Sequence, residues 1–193
     1  SVFAPFLPGC GVPEPNGQAS AQSGGVLKLT VGGTLTVDGK INANGEPETH
    51  NGGGNAAGGM GGAIDINAGT LAGAETGSIT AEGGSFAWQR GGGGRVAVKL
   101  TEPNADFAGF AGRISASGRA TAGNECDSSS GTVYLQTGNE ADGEGTVRIA
   151  YRIATTYYHA GNANTTEMLS LGYGGDDLAA HDKRKHDLGD HRH

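Results

Sequence analysis

The densest potential chemistry in the sequence lies near its end. His181-Asp182 and His186-Asp187 repeat at a spacing of five, and His191 and His193 follow. Imidazoles at that density can bind Zn2+, Ni2+ or Cu2+, and the adjacent aspartates can orient the rings as acceptors for the second nitrogen. The competing reading is a solvated, self-neutralising charged tail, or one that docks electrostatically on a neighbour. A second candidate is Phe86 and Trp88 beside Arg90, set in Gly-Gly-Ser-Phe-Ala-Trp-Gln-Arg-Gly-Gly-Gly-Gly. An exposed aromatic pair next to arginine stacks on sugar rings or anchors in a partner's pocket, unless it folds onto the protein's own flank. No Ser/His/Asp order, P-loop or dinucleotide fingerprint accompanies these residues.

Any such groups must be positioned by a repeating array. Gly25, Gly62, Gly94 and Gly131 each open an alternating segment, at intervals of 37, 32 and 37 residues. A second segment opens at Gly39, Gly77 and Gly112, as in Gly-Lys-Ile-Asn-Ala-Asn-Gly and Gly-Arg-Ile-Ser-Ala-Ser-Gly. Period-2 alternation predicts strands, and the i, i+3, i+4 spacing of a helix is missing. Leu27 and Leu29, Ile64 and Ile66, Val96 and Val98, and Val133 and Leu135 then share one face. On the second segment Ile41, Ile79 and Ile114 alternate with Ala43, Ala81 and Ala116, which predicts a narrow interior. Leu35, Leu71 and Phe107 or Phe110 suggest a third short strand or bend between the two. Gly145-Thr-Val-Arg-Ile-Ala150 repeats the first pattern once more and predicts a partial fifth unit. Glycine fills 38 of 193 positions, against about 7% on average, and it punctuates the alternation instead of replacing it.

The Gly-Gly-x-apolar-x-apolar alternation, followed by Gly-x-Ile-x-Ala-x-Gly, resembles the glycine-rich right-handed parallel β-helices (pectin-lyase-like solenoids) of bacterial secreted and surface proteins. The resemblance covers residues 24–150 and implies an all-β fold, a short right-handed parallel β-helix of about four coils. Residues 1–23 would be an extended Pro-rich apolar arm or cap, and 151–193 a C-terminal extension with a His/Asp-rich end. That superfold hosts lyases, hydrolases, adhesins and fibres, so it implies no single activity. Gly172-Tyr-Gly-Gly-Asp176-Asp-Leu resembles one half-turn of the calcium-binding nonapeptide repeats. Those sites need adjacent copies to complete the oxygen cage, so Asp176 is a weak metal candidate beside a polar turn.

Polysaccharide enzymes on such a scaffold stack carboxylates on one outward wall. Here the outward positions read Lys28, Asp65, Ala97, Tyr134 on one wall and Asn42, Thr80, Ser115 on the other. No two carboxylates stack, and Asp65 beside Lys28 is expected to form a surface ion pair. A lyase-like enzyme is therefore the least favoured reading, and the sequence implies no obligatory cofactor.

Net charge is −7 and the pI about 5.3, which argues against nucleic-acid binding. No apolar run approaches the ~20 residues of a membrane span. Cys10 and Cys126 form no CxxC motif. In a Gly/Asn/Thr-rich chain that opens at Ser1 they are expected to pair as a disulfide in an extracellular or surface setting, the alternative being two free thiols. The arm carries Val2, Phe3, Phe6 and Leu7 among prolines that exclude a central strand. Those four are candidate subunit contacts, because short arrays of strands leave open ends that invite stacking. The leading expectation is a non-enzymatic structural protein that assembles with itself, head to tail, into a filament, sheath or surface layer. The alternative is a glycan-binding or adhesive module using Phe86, Trp88 and Arg90.

Overall fold

Alternation of apolar and polar residues, opened by glycine, produces strands that sort into two sheets. The computed structural model describes residues 2–9, 21–47, 58–85, 90–118, 128–152 and 166–172. Among these the strands are β1 (Val26–Thr36), β2 (Lys40–Asn42), β3 (Ala63–Ala72), β4 (Ser78–Thr80), β5 (Arg95–Leu100), β6 (Arg113–Ser115), β7 (Thr132–Gln136), β8 (Thr146–Arg152) and β9 (Thr166–Gly172). The larger sheet has six strands in the order β1-β3-β5-β7-β8-β9, and the smaller has three, β2-β4-β6. The chain crosses from one sheet to the other and back up to β7, so pairs within each sheet are parallel to that point. No helix among the described residues is long and apolar enough to cross a membrane.

The register joins the repeat positions to one another. Leu27 pairs with Ile64, Ile64 with Val96 and Val96 with Val133, while Ile41, Ile79 and Ile114 line up in the smaller sheet. Ile64, Ile66, Val98 and Ile79 are fully buried, and Leu71 and Leu100 nearly so. Ala43, Ala81 and Ala116 belong to the same core. Between Val31 and Thr34 the register shifts, with Gly32 and Gly33 facing Gly69. Of the third short strand or bend expected around Leu35, Leu71 and Phe107 or Phe110, no separate strand forms among the described residues, and the register shift is the irregularity in that stretch. β1 and β3 run straight through those leucines, and Phe110 meets Gly73 in an isolated bridge.

The expected right-handed parallel β-helix of about four coils is overturned by the strand directions. β8 pairs antiparallel with β7, and β9 antiparallel with β8. The larger sheet is thus mixed, and six strands stand against three; the described residues form an all-β two-sheet arrangement and not a solenoid. Residues 137–145 supply the physical reason. So short a connection can return only antiparallel, whereas a parallel strand needs a crossover of a dozen residues or more. Glu140 fixes that turn by accepting from Thr137 N at 2.7 Å and Thr137 Oγ1 at 2.9 Å. Gly145–Ala150, expected to open a fifth parallel unit, is therefore a hairpin strand.

The outward wall of the larger sheet also departs from expectation, because it is covered. Asp65 is 3% exposed, and Ala97 and Tyr134 are fully buried. The Phe3 ring packs edge-on against Tyr134, with centroids 4.9 Å apart and planes at 79°. From the other side, Gly145 N donates to Tyr134 Oη at 2.9 Å, and Gly143 N to Gln136 Oε1 at 3.2 Å. Lys99 and Asp142 add an ion pair at 3.8 Å. Asp65 and Lys28 are register partners, yet no ion pair joins them; Asp65 Oδ1 is buried without a hydrogen-bond partner.

Candidate functional site

The described residues hold one concentrated polar site on the outside of the smaller sheet, centred one position beyond the outward residues of its strands. The Glu82 carboxylate accepts from Ser115 Oγ at 2.7 Å, from Ser117 Oγ at 3.2 Å and from both terminal nitrogens of Arg113. Its own amide donates to Asn44 Oδ1 at 2.7 Å. Burial works against ionisation of Glu82, but the bonds from Arg113, Ser115 and Ser117 outweigh it and hold the carboxyl below its ordinary pKa. The signal in the sequence was positional. Asn44, Glu82 and Ser117 stand at one place in successive units, one residue beyond the Ile/Ala pattern.

Beside this network, Asn42, Asn44, Glu46, Glu82 and Ser85 line a cleft of about 290 Å3. Two carboxylates share it, but Glu82 is fully engaged and stays ionised near neutrality, so it is a poor proton donor for general acid chemistry. Among the described residues no group of three or more His, Cys, Asp or Glu side chains is placed to hold a metal ion. What the cleft offers is an array of amides and carboxylates at the surface.

The arm engages its own chain. Besides the Phe3–Tyr134 contact, Gly9 N donates to Gly24 O at 3.1 Å. Of the four candidate subunit contacts, Val2 is half-buried and Phe3 is used within the chain, while Phe6 at 68% and Leu7 at 54% stand exposed. Arg90 is buried. Phe86, Trp88, Cys10, Cys126, Asp176, His181, His186, His191 and His193 lie outside the described residues.

Among the described side chains, the most exposed apolar feature built from strands is at β1 and β2. Each is the terminal strand of its sheet, on the same side of the molecule. Val26 is 44% and Leu27 36% exposed, and Leu29, Val31, Leu35 and Ile41 are only partly buried. Their partners one unit on, Ile64, Ile66, Ala68, Leu71 and Ile79, are 0–2% exposed. The same side chains that fill the core elsewhere are left half-covered here.

No family model, curated protein or solved structure matches the chain. The resemblance to glycine-rich β-helices thus rests on the sequence motif alone, and the arrangement of strands argues against it.

Proposed function

We propose that this chain is a structural protein of an extracellular or surface setting, whose activity is association with further copies of itself rather than catalysis. The observation that carries the reading is the paired open edge. β1 and β2 end both sheets together and leave their apolar residues half-covered. Exposed edges of this kind template pairing with another chain unless they are blunted, and β1 has a single lysine and no proline along its 11 residues. Head-to-tail contacts repeat without closing and give filaments or layers. Sedimentation and negative-stain microscopy of the purified protein test the reading. Concentration-dependent growth into polymers is expected, and a monomer at every concentration overturns it.

A glycan-binding role is the second reading, favoured by the polar cleft at Asn42, Asn44, Glu46 and Glu82. Ser85, which lines that cleft, directly precedes Phe86 and Trp88 in the sequence. Titration of the monomer with acidic and neutral oligosaccharides, with Trp88→Ala as control, decides it.

A further inference from the structure

The glycines at the start of each repeat show what β1 is built to meet. A Cβ on Gly62 would lie 2.0 Å from the carbonyl oxygen of Gly25, one on Gly94 2.1 Å from that of Gly62, and one on Gly131 2.2 Å from that of Gly94. The second series behaves alike, with Gly77 at 2.0 Å from Val37 O and Gly112 at 2.4 Å from Gly77 O. In each case the backbone of the preceding unit excludes a side chain. Gly25 and Gly39 hold the same places in the first unit, where no unit precedes, and nothing lies within 4 Å of a Cβ on either. Nor does either have a left-handed φ that would require glycine. Their lack of a side chain has no reason among the described residues and suits a neighbouring backbone from outside.

We infer that the neighbour at Gly25 is β9 of a second copy, which pairs in parallel with β1. The inference rests on the self-association reading above and specifies its contact. β9 ends the larger sheet opposite β1. Two antiparallel steps, β7 to β8 and β8 to β9, restore the direction of β7 and hence of β1. A copy stacked in the same orientation therefore presents a strand of the sense that β1 already accepts from β3. Charge does not oppose the contact, since Lys28, Asp38 and Lys40 leave the β1–β2 segment nearly neutral in a chain of net charge −7.

The groups that would bond are assignable. Gly25 O accepts from Ala63 N, and amides alternate sides along a strand. The even-numbered amides Lys28 and Thr30 therefore face away from β3. Thr30→Pro removes an outward donor and no bond inside the chain, a substitution that edge strands tolerate. The experiment mixes the full-length wild type with full-length Thr30→Pro and follows polymer length by microscopy and sedimentation, with circular dichroism of each protein alone. Thr30→Pro is expected to fold as wild type yet remain monomeric. Because it keeps β9, it should also terminate wild-type polymers, so one variant per ten wild-type copies cuts mean length to about ten subunits or fewer. Gly25→Val, which introduces a side chain into open space within the monomer, should act the same way and decides the matter if Thr30→Pro misfolds. Polymerisation of both variants as wild type overturns the β9–β1 contact and leaves self-association standing. A wild type that stops at dimers, or polymers whose length the folded variants do not shorten, overturns it in favour of edge-to-edge pairing. A wild type that stays monomeric overturns both readings.

Discussion

Gly25 and Gly62 occupy the same place in consecutive units and open the same kind of strand, yet their surroundings are opposite. Gly62 is pressed against the backbone of the unit before it, and Gly25 faces nothing within 4 Å. The difference teaches that glycine here is required by stacking and not by φ, since neither residue has a positive backbone angle. The sharpest way to break the comparison is to add side chains at both. Gly62→Val must displace a carbonyl at 2.0 Å, and is expected to cost about 3 kcal/mol or more, to the point of misfolding. Gly25→Val should leave monomer stability within about 0.5 kcal/mol of wild type, as surface changes do. Urea unfolding of the two variants under monomeric conditions measures both, and equal costs would dismiss the stacking account.

The same contrast holds for the apolar ladder. Ile66 is fully buried while its register partner Leu29 is only partly covered. Ile66→Ala is expected to lose about 2–4 kcal/mol, because transfer and cavity terms both apply. Leu29→Ala should lose roughly 1 kcal/mol, since the open edge leaves no sealed cavity behind. If self-association covers β1, the Leu29 cost should rise with protein concentration and the Ile66 cost should not.

This ladder is the part of the fold that could be read from the sequence, and the reason is physical. Period-2 alternation fixes which side chains share a face, and glycine crowding fixes where each unit begins, so the register from Leu27 through Val133 followed from spacing. Strand direction after β7 did not follow, because Gly145–Ala150 has the alternation of a parallel unit. Only the shortness of the Thr137–Gly145 connection forbids a crossover, and alternation says nothing about connections. The covering of Asp65 and Tyr134 was hidden for a related reason. Parity separates inside from outside for an isolated pair of sheets, but it cannot tell that Phe3 and a hairpin turn will lie over the outer face. Glu82 sits just beyond β4, outside the strand positions whose alternation marks the outer walls. At the masking aromatic contact itself the residue type gave a clue: a tyrosine where the other units have Lys28, Asp65 and Ala97 suits a site that needs both ring and hydroxyl.

That hydroxyl separates the covered outer face from the bare edge at a smaller scale. Tyr134 Oη donates to Gln136 Oε1 at 2.7 Å and accepts from Gly145 N at 2.9 Å, and removal from water pushes its pKa up. Tyr134→Phe keeps the ring against Phe3 but strands the buried Gly145 amide, for an expected loss of about 1–2 kcal/mol. Thr30→Val on the exposed face of β1 should change monomer stability by less than about 0.5 kcal/mol. Thermal unfolding of the pair checks this, and Tyr134→Phe at wild-type stability would mean the hairpin turn does not depend on the hydroxyl.

The smallest effect expected is on pH dependence, and it sets two carboxylates against each other. Glu82 is bonded to Arg113, Ser115 and Ser117, whereas Asp65 has a buried oxygen with no partner. The folded Glu82 pKa lies below its ordinary value near 4.5. A depressed carboxylate contributes stability that is present above the unfolded pKa and lost as pH falls through the folded one. Much of the Arg113 share is screened, since that side chain is 57% exposed, so the whole contribution is expected to be about 1 kcal/mol. Measured by urea unfolding, wild type should therefore exceed Glu82→Gln at pH 6–7, and the gap should close as pH drops below about 4.5. Asp65→Asn should cost less than Glu82→Gln at pH 6–7, because Oδ1 of Asp65 has no hydrogen bond to forfeit. A gap at Glu82 that persists into acid would assign its role to packing and hydrogen bonds that the amide cannot copy, rather than to its charge.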